Sequence, residues 1–569
     1  MPRGSRVPGV LRVLMVSGCC ALSLACGRVD GKREVPPPAP GEKVVLFVTT
    51  ELKGTIEPCG CNSDPMGDIA RTAALVEEAR RGGAAVLVLD GGSLLYSQTR
   101  IAPESAEQER LKADLVVDFY GKTLEAAAIG LGPYDLSMGA QAVRPPRQAA
   151  NLPAAAGVAT RPPEIVQAGK VVVGVFGVVS PDALAPAGIR AGDPVAAARD
   201  ATADLRRRGA GVVVALAHMT RKDARDLARK VSGIDFVVVG QNAPGSPAKL
   251  VEAPEAAGTA WLVQPADRGQ VVSRIDIAVR GSGARMVDAI GEERAKVESA
   301  DLEARAADLR AELAKWKSDP SADRAFVGEK QKELSELEAE RARLAAHPLQ
   351  IPEQGSWFTL SQVRVRRRLA CDRAVVARKT ELDRVTGRAN LAAAEKRGPP
   401  PAPAAGAAHY VGDEECEGCH QAAVAFWKQT VHARAWDILK EVGKEASYDC
   451  VSCHVTGWGE PGGSNLAHNQ PLRAVQCEVC HGPGSLHVDA NGKEKKSSLV
   501  RRTPEERCKG CHNEDHSDTF QYQAYLRDVL GPGHGQAMRA ELGDGPTGHQ
   551  LRSAALAKAG RDVGAGCPK

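Results

Sequence analysis

The sequence predicts a multidomain chain, with a layered α/β body, a helical hairpin and a mostly α-helical module. Three observations carry this. Short apolar runs alternate with charged helical stretches from Val44 onward, apolar residues recur with heptad-like spacing between Glu292 and Ala346, and Cys-x-x-Cys-His occurs four times between Cys416 and His512. A length of 569 residues also asks for about three or four folded units.

Lys and Arg nearly balance Asp and Glu, and the net charge of +4 gives no case for a nucleic-acid partner. Fifteen cysteines would be surprising in a reducing cytosol and favour export. At the N-terminus, Arg3, Arg6 and Arg12 precede an uncharged run from Val13 to Ala25, too short for a comfortable membrane span, which reads as a signal peptide over 1–26. The run ends in Leu22-Ser23-Leu24-Ala25-Cys26, which resembles the lipobox of bacterial lipoproteins and implies lipidation at Cys26. Ser23 stands where leucine is preferred, so cleavage with secretion is the second option. Gly27, rather than Asp, after Cys26 resembles the outer-membrane sorting pattern. A polar, Pro-rich linker, 27–43, would hold the body off the membrane.

The α/β body spans 44–282. Strands are expected at Val44 to Val48, Ala85 to Leu89, Val171 to Val175, Val212 to Leu216 and Phe236 to Val239, with helices between them such as Ile69 to Arg80 and Arg221 to Val231. Leu46 to Gly54, Asp68-Ile69-Ala70-Arg71, Val86 to Gly92, Ile129-Gly130 and Gly233 to Phe236 resemble the metallophosphoesterase domain of secreted 5′-nucleotidases. That resemblance implies a two-sheet sandwich with helices outside and a two-metal site at the strand ends. The framework matches better than the chemistry. Glu51-Leu52-Lys53 stands in place of Asp-x-His, Ser93 in place of a bridging Asp, Gly130 to Pro133 in place of Gly-Asn-His-Glu, and Gly240 to Ala243 in place of Gly-His-x-His. Only His218 sits where a ligand histidine belongs, and Lys53 would repel divalent ions, so phosphoesterase activity is not expected.

At the same strand ends lies Pro58-Cys59-Gly60-Cys61, which resembles a segment of exported 5′-nucleotidase-like proteins. Cys59 and Cys61 can form a redox dithiol that exchanges electrons or ligates a soft metal. Alternatively they are structural cysteines, paired with each other or with Cys371 or Cys567.

Within 283–348, Leu302, Ala306, Leu309, Leu313 and Trp316 precede a break at Ser318-Asp319-Pro320-Ser321, and Val327, Leu334, Leu337 and Leu344 follow it. This spacing predicts an antiparallel helical hairpin, a spacer in the first reading and a dimerisation arm in the second. A strand (Trp357 to Val365) and a basic helix (Arg366 to Glu395) fill 349–398, and a Pro/Ala linker, 399–408, marks a boundary.

The module over 409–540 holds the four motifs. Each offers two thiols that can add to the vinyl groups of haem and a histidine that can ligate its iron: Cys416, Cys419 and His420; Cys450, Cys453 and His454; Cys477, Cys480 and His481; Cys508, Cys511 and His512. Zinc would not need a histidine after every second cysteine. Four covalently attached haem c groups follow, and they would form the core of a segment poor in aliphatic runs.

Tyr410-Val411-Gly412, Trp427 to Ala435, and Val475 to Gly484 around the third motif resemble the tetrahaem cytochrome c-554 family. The resemblance implies distal iron ligands at His432, His487 and His534; His409, His468 and His516 are weaker candidates. It also implies one open iron, the second in chain order, at the Cys450 motif. The expected function is exported electron transfer between redox partner proteins, with the α/β body as a docking or dithiol module and a lipid anchor at the membrane. The alternatives are a haem oxidoreductase acting on small nitrogen compounds and, last, a 5′-nucleotidase-like hydrolase. The tail, 541–569, with Cys567, is assigned no function.

Overall fold

Val44, Leu46 and Val48 point to one face of the first strand and Val45 and Phe47 to the other, and both faces are buried. Such continuous apolar runs are those of strands covered on both sides. The computed structural model describes residues 42–58, 60–240, 253–280, 285–318, 324–349, 351–492, 498–513, 516–560 and 566–568. The signal peptide, Cys26, most of the Pro-rich linker, Cys59, Gln241 to Ala243 and the hairpin break at 319–321 lie outside the described residues.

Two six-stranded sheets form the α/β body. The first runs in the order Val287–Asp288, Trp357–Arg364, Val271–Val279, Glu42–Thr49, Val86–Asp90, Ala128–Ile129. The second runs Glu255–Ala257, Ala260–Val263, Phe236–Gly240, Val212–His218, Val171–Val179, Glu164–Ala168. Period-two alternation divides the apolar residues between layers. Leu46, Leu89, Val175, Val214, Phe236, Ile275 and Phe358 fill the space between the sheets. Val45, Phe47 and Val88 pack outward under the helices Ile69–Arg81 and Ala106–Asp118, and Val213, Ala215 and Val237 under Pro194–Arg207 and Arg221–Lys230.

The expected strands and helices are present, most of them extended by one to four residues. Two differences concern organisation. Trp357–Arg364 pairs antiparallel with Val271–Val279, from Val271 opposite Arg364 to Ala278 opposite Trp357. It is therefore an internal strand of the first sheet, not part of a separate segment, and the hairpin is an insertion between two strands of one sheet. The basic helix spans Arg373–Arg397, because Asp372 accepts a hydrogen bond from Val375 N at 2.9 Å and sets its N-terminus. This helix lies along Ala106–Asp118 and Ile69–Arg81, with Lys379 Nζ 2.6 Å from the Asp68 carboxylate.

The hairpin helices are Glu292–Ser318 and Arg324–Ala346, and they close a small core of Ala306, Leu313 and Leu334 with Leu309, Trp316, Val327 and Leu337. No described helix is long and apolar enough to cross a membrane. Beyond the linker come short helices and turns with little aliphatic core, chiefly Ala435, Trp436, Val451, Val455, Leu466 and Ala474. The tail, for which the sequence suggests no role, is structural. The helix Gly548–Ala559 packs on Tyr522–Val529, and Cys567 is buried in the core of the α/β body, where it is disulfide-bonded to Cys371. That bond removes both cysteines as partners for Cys59 or Cys61.

Candidate functional site

A single turn of helix explains the motif spacing. His420 N donates to Cys416 O at 3.0 Å and His512 N to Cys508 O at 2.8 Å, so the two thiols and the histidine of each motif gather on one turn. The second motif uses a 3₁₀ turn, Val451–Cys453. All eight motif cysteines, the four motif histidines and His432, His487 and His534 line one continuous cavity of about 3290 Å³, several times the ~300–1,000 Å³ of an ordinary small-molecule pocket.

The residues fit haem on three counts. The first is tautomer: His454 Nδ1–H donates to Ala435 O at 2.6 Å and His481 Nδ1–H to Val500 O at 2.7 Å, while His512 Nδ1 lies 3.1 Å from Ser517 Oγ. An Nδ1 held in this way leaves Nε2 for a metal. The second is ring spacing. His420 and His487 face each other with centroids 6.2 Å apart and planes at 25°, and His432 and His512 lie 6.1 Å apart at 46°. Two imidazoles on opposite faces of one iron, with bonds of about 2 Å, place their centres roughly 6 Å apart. His534 is close enough to His481 to feel its charge.

The third count is protonation. Burial lowers the pKa of His432 and His534, and burial, with His432 and Arg552 nearby, pushes His512 down to about 4, so these rings are held neutral, the form that ligates iron. The thiols are neighbours across motifs: Cys416, which donates to Gly412 O at 3.6 Å, lies beside Cys477, and their interaction raises Cys416 and lowers Cys477, while Cys511 is raised by its neighbour Cys453. Burial, with Cys508 close by, pushes Cys480 up to about 11.

Of the weaker candidates, His409 donates its backbone N–H to Ser485 Oγ at 2.9 Å, and His468 Nε2 lies 3.7 Å from Glu395. Glu478, one of the variable positions in the third motif, carries no signal in the sequence. Its buried carboxylate accepts from Val411 N, Gly412 N and Gly484 N at 2.7 to 3.1 Å and ties the first motif to the third.

The α/β body supplies part of the cavity wall. Pro58, Gly60 and Cys61 line it, and Arg552 of the tail helix donates to the carbonyls of Gly60 and Cys61. Ser63 N donates to Asp518 Oδ1 at 3.0 Å, beyond the fourth motif. At the strand ends, His218 Nε2 is 2.9 Å from Ser93 Oγ and 3.2 Å from Glu51 Oε1. Lys53 Nζ sits 2.9 Å from Glu51 and 3.1 Å from Asp267. Burial works to lower the Lys53 pKa, but the two carboxylates hold it above its ordinary value. Asp135 accepts from Ser93 N, Leu94 N and Gly132 N and pairs with the buried Arg147. Among the described residues, no three His, Cys, Asp or Glu side chains gather as a metal-ion site requires. The Lys53 ammonium beside Glu51 and Asp267 does not fit a pair of divalent cations at this place.

Comparison with known proteins finds solved structures similar to the α/β body and a cytochrome similar to the C-terminal module. The α/β body is similar to the 5′-nucleotidase precursor of Thermus thermophilus (21% identity, TM-score 0.37, covering 43% of this chain and 53% of that one) and to a calcineurin-like phosphoesterase of Bacillus subtilis (20%, 0.34, 43% and 87%). Cytochrome c-554 of Nitrosomonas europaea is 35% identical over 139 residues, 18% of this chain, and the chain spans 58% of that relative's length. Residues 415–482 match the family model described as cytochrome c554 and c-prime, and the C-terminal module is accordingly that of a c-type cytochrome with covalently bound haem.

Proposed function

We propose that the protein is an exported electron carrier with four haem c groups, held by Cys416/Cys419, Cys450/Cys453, Cys477/Cys480 and Cys508/Cys511. The motif histidines His420, His454, His481 and His512 are the proximal ligands. The single observation that carries this is the facing of distal and proximal rings, His487 with His420 and His432 with His512, at the separation one iron requires. We assign His534 as the third distal ligand, with His481 and His420 both near enough to influence it. When bound, the haems each take and give one electron, and an unchanged pair of imidazoles keeps the rearrangement on transfer small. The chain's own residues hold the rings neutral and oriented and place the motifs in contact in the order first, third, fourth, second, judged from the thiol neighbours Cys416–Cys477, Cys480–Cys508 and Cys511–Cys453.

The test is a quantified haem stain with the electron paramagnetic resonance spectrum of the oxidised protein. Four haems, all low-spin, are expected of a relay; four haems with one high-spin signal would instead identify an open iron, and fewer than four haems would sink the proposal. An open iron, if present, is that of the second motif, as the family resemblance implies. The second reading is then a haem oxidoreductase acting on small nitrogen compounds at that iron, for which turnover with hydroxylamine or nitric oxide is the assay.

The α/β body acts as a docking or dithiol module in this proposal, and its phosphoesterase-type metal site is lost, since Lys53 occupies it. Nucleotides should release no phosphate with added Mn²⁺ or Zn²⁺. Support for the dithiol is that Cys61 lines the haem cavity; unchanged haem redox behaviour in a Cys59→Ser variant would remove it. We further propose anchoring by a lipid at Cys26 on the periplasmic side, with the outer membrane favoured, and redox proteins as partners. The hairpin closes its own core, which favours a spacer over a dimerisation arm.

A further inference from the structure

The tail helix Gly548–Ala559 lies against the fourth motif and brings charge to it. Thr547 starts the helix, its hydroxyl accepting from Gln550 N at 3.2 Å. Gly548 packs so closely on Tyr525 that a Cβ there would stand 2.4 Å from the ring. Tyr525 in turn lies edge-on to His512, with centroids 5.0 Å apart and planes at 75°, and Phe520 stacks on the same imidazole at 5.1 Å and 8°. Arg552 follows Gly548 by four residues and so shares its helix face. It lines the haem cavity and is close enough to His512 to act on its charge.

The helix shifts the charge balance at this motif in one direction. Among the described residues, the partners of the Arg552 guanidinium are the carbonyls of Gly60 and Cys61, so no carboxylate cancels its charge. Asp528 acts on His432 with the opposite sign, but the first turn of the same helix meets it, His549 N donating to its carboxylate at 2.7 Å. The partial positive charge of a helix N-terminus offsets an anion placed there. Asp518, beyond the motif, is held by Ser63 N at 3.0 Å and by the Ser63 hydroxyl. The aromatic rings beside His512 exclude water, and charges act more strongly where water is excluded.

The hydrogen bond of His512 itself works the same way. With Nε2 on iron, its Nδ1–H donates to the Ser517 hydroxyl at 3.1 Å, whereas His454 and His481 donate to backbone carbonyls at 2.6 and 2.7 Å. A longer bond to a hydroxyl leaves the imidazole a weaker donor to iron and stabilises the ferric state less.

We propose that the tail helix, through Arg552, raises the reduction potential of the haem held by Cys508, Cys511 and His512. Reduction adds one electron to the ferric haem and leaves the iron one unit less positive, so a nearby cation favours the reduced form. Electrons on the haem row are thereby biased toward the haem beside the Gly60–Cys61 loop. The inference rests on the haem assignment above and gives the tail a function.

The test is a redox titration of the full-length holoprotein followed by electron paramagnetic resonance, in which the fourth haem is the low-spin signal lost in His432→Ala. Arg552→Gln should lower the midpoint of that signal, by on the order of tenfold in its reduction equilibrium, which is about 59 mV, and leave the other haems in place. Arg552→Lys, which keeps the charge, should hold the midpoint near wild type, and Asp528→Asn should raise it. An unchanged midpoint in Arg552→Gln would overturn the inference. So would an equal fall in the Gln and Lys variants, which would make Arg552 a structural tie, or an equal shift of every haem. A haem stain below four, or no signal that depends on His432, would overturn the haem assignment itself and the inference with it.

Discussion

Replacing both cysteines of the Cys371–Cys567 bridge by alanine should cost the protein about 5 kcal/mol. The bridge joins residues 196 apart and encloses the whole haem module. In the chain-entropy account, closing a loop of that length removes about 18 cal/mol/K from the unfolded chain, which is about 5 kcal/mol at 25 °C. The folded side offers little compensation: Cys567 is 6% exposed, its N–H donates to Asp68 at 2.9 Å, and Arg71 reaches the Gly566 carbonyl at 3.3 Å, so the tail is held where it is with or without the bond. The assay is urea unfolding of the double variant, followed by haem absorbance and by far-ultraviolet circular dichroism. With a slope of about 2.5 kcal/mol/M, the midpoint should fall by roughly 2 M. Wild-type protein reduced by dithiothreitol should behave like the variant. A midpoint within about 0.2 M of wild type, by both signals, would refute the reasoning and mean that the unfolded chain is already held compact by its haems.

His487→Ala, His432→Ala and His534→Ala should each convert one low-spin haem signal to high-spin while leaving the haem stain unchanged; loss of stain would instead make these residues structural. Lys112→Met should destabilise the fold by about 3 kcal/mol in urea, because it leaves the buried Glu109 carboxylate unpaired. Asp90, fully buried, has its pKa pushed up to about 7 by burial, against the opposing hydrogen bonds from Thr49 and Gly92 N–H. A carboxyl group raised on folding contributes stability below its unfolded value, near 4, and that contribution is lost as pH rises through about 7. Stability measured by urea unfolding should therefore fall between pH 4 and 7, by on the order of 4 kcal/mol from this group, and Asp90→Asn should flatten that slope.

Local chemistry was legible in the sequence, and long-range closure was not. Cys-x-x-Cys-His sets its own geometry within one turn, so Cys416 to His420 could be read without a fold. The strand at Val44 and the heptad steps from Leu302 to Trp316 are likewise local periodicities. Which histidine faces which motif depends on chain folding across tens of residues, and only the structure sets His487 against His420 and His432 against His512. The strand Trp357–Arg364 read correctly as a strand but not as a member of the first sheet, because a hairpin of more than fifty residues separates it from its neighbour. Arg552 carried no signal, since polar residues on amphipathic helices normally face water. The pairing of Cys371 with Cys567 stayed open for the same reason: nothing local brings together two cysteines 196 residues apart.

The burial of Cys567 beside Ala70 and Val375 has a consequence for biogenesis. Synthesis runs from the N-terminus, yet the α/β body is completed only by a segment that follows the entire haem module. Its first sheet waits for Trp357–Arg364, and its outer core waits for Cys567. The body therefore stays unsealed until the whole haem module has been synthesised, and the final sealing step waits for the tail. A nonsense or frameshift lesion in the tail would then damage the part of the protein made first as well as the module on which the tail helix packs.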